Sequence, residues 1–209
     1  MRSADNPAVE NFVLVAAIAL CLYVLKSQDQ RRRIALLGSH LGRFQIEKLM
    51  ESLTQGYLRC LDESDADRRA QIWSMLHTSE ETLASQFRRF ALDFAKVDEA
   101  QARVSKIPFA FPLADRLFPA ATFDARRAFA IHAQGIADAA ANVLQQTPAQ
   151  KAFMLSAELF LMQHTCHWYC RSKVVASARL LARHKTSHQL ALDSVAPATR
   201  AAYRSLTGI

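Results

Sequence analysis

The feature that most constrains this chain is an unbroken apolar run near its N-terminus, FVLVAAIALCLYVL, from Phe12 to Leu25. As an α-helix this run measures about 21 Å, which is shorter than the roughly 30 Å hydrocarbon core of a bilayer. Pro7 to Val9 and the aliphatic stem of Lys26 extend it to about 20 residues, with Tyr23 at the interface. The sequence therefore predicts a single membrane-spanning anchor.

Two other structures are compatible with a run of this length. A buried core helix is the first, because runs of about 10 to 14 apolar residues are common inside soluble domains. A cleaved signal peptide is the second, but it requires a basic leader and a small-residue cleavage site. Here Asp5 and Glu10 oppose Arg2, and no A-x-A pattern follows the run. The retained anchor is the favoured interpretation.

The basic residues around the run predict its orientation. Lys26, Arg31, Arg32 and Arg33 follow the run closely, whereas only Arg2 precedes it. By the positive-inside rule the N-terminus faces out, the rest of the chain is cytoplasmic, and the four following residues form a basic membrane-surface group. The excess of Arg over Lys and the high Ala content indicate a bacterial protein, which makes the membrane the inner membrane.

The remainder of the chain has the composition of a helical domain. Of 209 residues 51% are hydrophobic, and no proline occurs between Pro7 and Pro108, so the strongest helix breaker is absent over that range. We expect an all-α protein: an N-terminal single transmembrane helix followed by a cytoplasmic multi-helix bundle. The predicted divisions are an anchor at 1–26, a juxtamembrane helix at 27–61 and the bundle at 62–209. The four cysteines are expected to be reduced.

The net charge of +7 is concentrated next to the anchor and in the C-terminal third. An anionic leaflet attracts such charge, at about 1 kcal/mol for each basic residue near the surface, so the lipid bilayer explains it. A nucleic acid bound by the basic helix Arg171–Lys185, through Arg179 and Arg183, is an alternative. It is disfavoured because aromatic residues are not interleaved with the basic ones beyond Trp168 and Tyr169.

One segment has a regular spacing of large apolar residues. A capping-box pattern at Thr78 and Glu81 predicts a new helix start. The residues that follow step by four and three, as in a helix-packing seam. They are Leu83, Phe87, Phe90, Phe94, Val97, Gln101 and Val104.

Prolines break the helical pattern in KIPFAFPLADRLFPAATFD, which contains Pro108, Pro112 and Pro119. We call the segment Pro108–Pro119 the crossover, because it is expected to cross the bundle without regular structure. It is too apolar for a free linker. Its candidate partner-binding residues are Phe109, Phe111, Leu113 and Phe118. Ordinary cover of the core is the alternative.

The only cluster that suggests metal chemistry is QHTCHWYC, with His164, Cys166, His167 and Cys170. On a helix the two histidines are one turn apart, as are the two cysteines, but the pairs point to different sides. Four ligands from this helix therefore cannot converge on one tetrahedral ion. A half-site completed by His132 or a second subunit would make a metal or haem redox protein, the alternative function. We predict no cofactor.

Other chemistry is weakly indicated. His184 and His188 have H-x-x-x-H spacing without the acid of a metalloprotease helix, and Glu158 is the most plausible buried acid, with an Arg or backbone partner. No nucleotide-binding or nucleophile-elbow motif occurs, so no catalytic residue is assigned and the chain is not interpreted as an enzyme.

These observations predict a membrane-anchored helical scaffold or interaction protein, such as an accessory or assembly subunit of an inner-membrane complex. Its partners would be other membrane or cytoplasmic proteins, or a second copy of this chain. The Leu83–Val104 seam or the crossover would supply the contact.

Overall fold

A computed structural model describes residues 7–209, with side chains described from residue 11 onward. Residues 1–6 of the predicted anchor, including Arg2 and Asp5, lie outside the described part, as does the side chain of Glu10.

The described chain is 79% helical, which confirms the all-α class: a long apolar N-terminal helix precedes a helical bundle. A two-stranded antiparallel hairpin, which the sequence did not predict, pairs Val104 with Phe123. The elements described are α1 (Pro7–Leu41), α2 (Ile46–Asp62), α3 (Ala66–Phe94), α4 (Glu99–Ala102), β1 (Arg103–Ser105), α5 (Ala114–Leu117), β2 (Thr122–Asp124), α6 (Ala125–Ala140), α7 (Pro148–Cys170), α8 (Lys173–His184), α9 (His188–Ser194) and α10 (Pro197–Thr207).

The apolar segment AFMLSAELFLM predicts a central core helix, and helix α7, which contains this segment, is the centre of the bundle. It packs against α6, α8 and α9 and also contacts α1 and α2. A capping box fixes its start, because the Thr147 hydroxyl accepts from Gln150 N and the Gln150 side chain accepts from Thr147 N. From the sequence alone we expect the helix opened by Thr147 and Pro148 to continue to about Arg183, and this prediction is wrong. It ends at Cys170, and the Ser172 hydroxyl accepts from Val175 N to begin α8.

The predicted seam forms the aromatic core of the bundle. Phe87, Phe90 and Phe94 on α3 are fully buried, and Phe94 meets Phe129 of α6 edge to face at 4.9 Å between ring centroids. Val97 and Val104 are also buried, whereas Gln101 is exposed. The seam is therefore internal packing, and its proposed role as a partner surface is wrong, because these side chains already have partners within the chain.

Two helix boundaries differ from the prediction. Helix α1 ends at Leu41 instead of continuing to Leu61, since Gly38 and Gly42 weaken the helix there and a turn places Phe44 against Phe90. Helix α3 runs through the predicted start at Thr78. The predicted capping box is not formed, and the Thr82 hydroxyl instead donates to the Thr78 carbonyl inside the continuous helix.

The two ends of α7 define the two ends of the bundle. At one end, Lys151 pairs with the buried carboxylate of Glu80, which also accepts a 2.6 Å hydrogen bond from Tyr57. At the other end, the Tyr169 hydroxyl donates to the Gln101 carbonyl and Arg33 of α1 lies over the Tyr169 ring. These ends are separated by about 27 Å of helix. We call them the far end and the anchor end.

Candidate functional site

Helix α1 has two parts with different environments. A candidate membrane span lies within Asn11–Leu41, and its most apolar 18-residue window has a mean hydropathy of 1.7 with none of it buried in the bundle. Phe12 is 74% exposed and Tyr23 is 68% exposed. Further along the same helix, Leu37 is buried in the core. The apolar run is therefore not a core helix, and the structure contains one helix near the N-terminus that is long and apolar enough to span a membrane.

Arg33 lies between the two parts of α1 and binds the helix to the bundle. Its guanidinium donates to Asp29 at 3.0 Å on α1, to Asp115 at 3.3 Å in α5 and to the Arg103 carbonyl at 2.7 Å in β1. Only 13% of its side chain is exposed, so these charge-assisted bonds are partly shielded from water. A second link beside it is the donation from Arg171 to the Gln30 side-chain oxygen at 3.2 Å.

The predicted basic group thus divides by environment. Arg31 and Arg32 are exposed and Lys26 is half-buried, whereas Arg33 is occupied by protein partners. The first three follow the candidate span directly, and Arg33 holds the helix to the bundle.

The crossover lies at the anchor end and exposes its apolar side chains. The buried Pro112 and Ala114 hold it to the bundle, and Val174 N donates to the Pro108 carbonyl. Its candidate partner-binding residues all point outward, which disagrees with the alternative that they simply cover the core. Their exposed fractions are 70% for Phe109, 46% for Phe111, 41% for Leu113 and 50% for Phe118.

The histidine and cysteine cluster of α7 does not converge. His164 is buried and hydrogen-bonds Ser177 at 3.1 Å, Cys166 donates to the Met162 sulfur, and His167 lies 3.2 Å from an Arg179 nitrogen. Cys170 is buried. Within residues 11–209, no group of three or more His, Cys, Asp or Glu side chains is arranged to hold a metal ion. The arrangement shown is that of packing residues with separate partners.

A buried polar cluster, which the sequence did not predict, lies between α6, α7, α9 and α10. His132 hydrogen-bonds the Thr165 hydroxyl at 2.8 Å, and Thr165 in turn lies 3.1 Å from the Tyr203 hydroxyl. His164 stacks on His188 with 4.0 Å between ring centroids. The partners come from four helices, at positions between 132 and 203, so helical spacing gave no signal for them.

Burial keeps the imidazoles of this cluster neutral. It lowers the pKa of His132 to about 3 and the pKa of His188 to about 4, the latter with a smaller contribution from Lys173. The pKa of His164 falls to about 2, through burial first and then through His188. Each neutral ring can donate one hydrogen bond and accept one. The cluster is therefore uncharged at neutral pH, and one buried ring nitrogen of each of the three histidines has no hydrogen-bond partner in the described part of the chain.

Glu158 is the acid that the sequence predicted to be buried. Of the two partners expected for it, an arginine or the backbone, the structure shows the backbone. Its Oε1 accepts from Ala196 N at 3.0 Å, so α7 is tied to the start of α10. Its Oε2 has no hydrogen-bond partner in the described part of the chain, although the Thr199 hydroxyl lies near it. Burial raises the pKa of Glu158 to about 7, against the opposing effects of Thr199 and Ala196 N.

The space for this carboxyl depends on Gly135 of α6. A Cβ atom at that position would collide with both the Glu158 carboxyl and the Thr199 hydroxyl. The glycine is therefore explained by close approach between α6, α7 and α10.

Comparison of the chain with protein-family models, with curated proteins and with solved structures gives no match. The structural class is thus defined by the molecule alone: a helical bundle with one candidate membrane span near its N-terminus.

Arg33→Ala is expected to lower the free energy of unfolding by about 1–3 kcal/mol, because it leaves Asp115 and the Arg103 carbonyl without their charged donor. Chemical denaturation of the full chain in detergent measures this. Arg32→Ala is the matched control, since Arg32 is exposed and makes no hydrogen bond in the described part, and we expect a change within about 0.5 kcal/mol. Equal effects in the two variants would contradict the role given to Arg33.

Glu158→Gln is expected to change how stability depends on pH. The folded-state pKa of Glu158 is raised from 4.5 to about 7, so its contribution is fully present below pH 4.5 and is lost as the pH rises through 7. Glutamine does not titrate. The stability of the variant relative to the natural protein should therefore increase by roughly 3 kcal/mol from pH 4.5 to pH 8.

Denaturation of both proteins across this pH range tests the prediction. Glu51→Gln, at an exposed position, controls for removing a carboxylate. Parallel stability curves for Glu158→Gln and the natural protein would show that the carboxyl has the same pKa in the folded and unfolded chain.

Proposed function

We propose that the protein is a single-pass bacterial inner-membrane protein that holds a helical bundle at the cytoplasmic face and binds other proteins there, as an accessory or assembly subunit of a larger complex. The observation that carries this proposal is the continuity of α1. One helix contains both a fully exposed apolar window and a segment packed in the bundle core.

The continuity favours a retained anchor over a cleaved signal peptide. A signal sequence would pass the same test of length and hydropathy. Here, however, the helix continues past Leu25 to Leu41, and Arg33 and Leu37 in that continuation make its contacts with the bundle. Cleavage just after the run would remove the helical turns that precede Arg33 and would expose a new terminus beside the crossover.

The charges favour a cytoplasmic bundle. Arg31 and Arg32 are exposed on the bundle side of the apolar run, where the positive-inside rule places cytoplasmic residues. The membrane would restrict partners to those that approach from the side or from the far end.

The far end offers a surface for protein partners. The hairpin formed by α2 and α3 extends past Tyr57 and Glu80, and therefore away from the anchor end. Its apolar side chains Leu58, Leu61 and Met75 are 59%, 64% and 73% exposed. Exposed apolar residues remote from the membrane are what a protein partner would cover.

Fractionation tests the anchor. The full-length chain is expected to resist carbonate extraction, and a chain lacking residues 1–26 is expected to be soluble. A protease-sensitive tag at the C-terminus should be digested only after the inner membrane is permeabilised. Extraction of the full-length chain would refute the anchor, and digestion of the tag from the periplasmic side would refute the orientation.

Site-specific photocrosslinking in cells tests the binding role. A photoreactive residue at Leu61 should form one discrete adduct of defined mass, and Leu58→Glu with Met75→Glu should reduce its yield at least tenfold. The same probe at the exposed Gln134 of α6 is the control and should form no adduct. Absence of the adduct at Leu61 would leave a membrane-anchored domain without a partner at this surface.

A further inference from the structure

We infer that the crossover is a second membrane contact, with its exposed apolar side chains in the headgroup region of the same bilayer that holds α1. The inference rests on the anchoring proposed above. It replaces the protein partner first predicted for Phe109, Phe111, Leu113 and Phe118 with a lipid surface. Their position along α1, the backbone hydrogen bonds of the crossover and the charges around it support a lipid contact.

The height of the crossover along α1 follows from one contact with α1 and one cleft shared with it. Asp115 accepts from Arg33, and Leu113 lines a cleft of about 350 Å³ together with Leu25, the last residue of the apolar run. Arg33 and Leu25 are separated by about 12 Å along the helix. The crossover therefore lies beside the stretch of α1 between Arg33 and the point where the apolar run ends, at Leu25. When α1 spans a bilayer, this point is the interface.

Neighbouring apolar residues enlarge the exposed surface of the crossover. Phe109 and Phe111 lie beside Arg33 and Tyr169 around a second small cleft, and Val174, which is 44% exposed, is bonded to the crossover. Leu117 and Phe118 are also at least half exposed. A soluble monomer rarely exposes so many large apolar side chains in one short segment, whereas an interfacial element requires them.

The backbone of the crossover is suited to a medium poor in water. Within it, Ala114 N donates to the Phe111 carbonyl, Leu117 N to the Leu113 carbonyl and Phe118 N to the Ala114 carbonyl. Its three prolines have no N–H group to satisfy. Internal bonding of this kind lowers the cost of moving peptide groups out of water.

The charges nearby match an anionic headgroup layer. Arg116 and Arg32 are exposed beside the cleft that contains Leu25 and Leu113. The one acid of the crossover, Asp115, is paired with Arg33 and is only 15% exposed. The outward charge of this surface is therefore positive, and basic residues close to an anionic leaflet are attracted to it.

Depth-dependent quenching of tryptophan fluorescence tests the contact in the full chain. Phe109→Trp and Phe118→Trp are made separately, with Trp73 and Trp168 retained in every variant. Phe153→Trp is the matched control, because Phe153 is 64% exposed and lies at the far end, two residues after Lys151. Each protein is reconstituted in vesicles of phosphatidylcholine and phosphatidylglycerol, with or without bromine on the acyl chains.

The added tryptophans at 109 and 118 are expected to be quenched at least threefold more strongly by brominated lipid than the one at 153. Equal quenching at all three positions would overturn the inference while leaving the anchor in place. A blue-shifted emission at 109 or 118 without quenching would assign the surface to a protein, including a second copy of this chain. Failure of the full chain to float with the vesicles would overturn both the anchoring and the interfacial contact.

Discussion

The interaction on which the rest of the arrangement depends is the set of hydrogen bonds made by Arg33. A single guanidinium bonds α1, β1 and α5 and also covers the Tyr169 ring at the end of the central helix. Leu37 packs the C-terminal part of α1 into the core, and Arg33 adds directional bonds closer to the exposed apolar half of the helix. Because the side chain is mostly buried and its partners are charged or backbone oxygens, the junction is held by directional bonds as well as by apolar contact.

The interior divides into two regions of different chemistry. One is the aromatic layer of α3 and α6, where Phe90, Phe94 and Phe129 pack edge to face. The other is the neutral polar cluster of His132, Thr165 and Tyr203, next to Glu158. Apolar packing is tolerant of small shifts, whereas a buried hydrogen-bonded cluster loses stability when one partner moves. The C-terminal helices are therefore placed more specifically by the polar cluster than apolar contact alone would achieve.

Sequence patterns predicted what depends on neighbouring residues along the chain. The apolar run, the all-α class and the packing role of Phe87 and Phe94 all follow from local spacing, and the structure agrees. The break at Gly42 and the continuity of α3 through Thr78 did not follow. Both are decided by tertiary contacts, Phe44 with Phe90 and Glu80 with Tyr57 and Lys151. The polar cluster and the bonds of Arg33 join residues far apart in sequence, and one sequence carries no signal for such pairs.

The unbroken helix between Leu25 and Arg33 has a geometric consequence. An α-helix turns by about 100° for each residue. The unbroken helix therefore fixes the angle, about its axis, between any face of the apolar segment and the face that packs against the bundle. A rotation of the bundle about the axis of α1 would be transmitted to the apolar segment as the same rotation. A neighbouring helix that binds one face of the apolar segment would consequently determine the direction, around the axis of α1, in which α2 and α3 extend. The orientation of the bundle about the axis of α1 is therefore coupled to the orientation of the apolar segment.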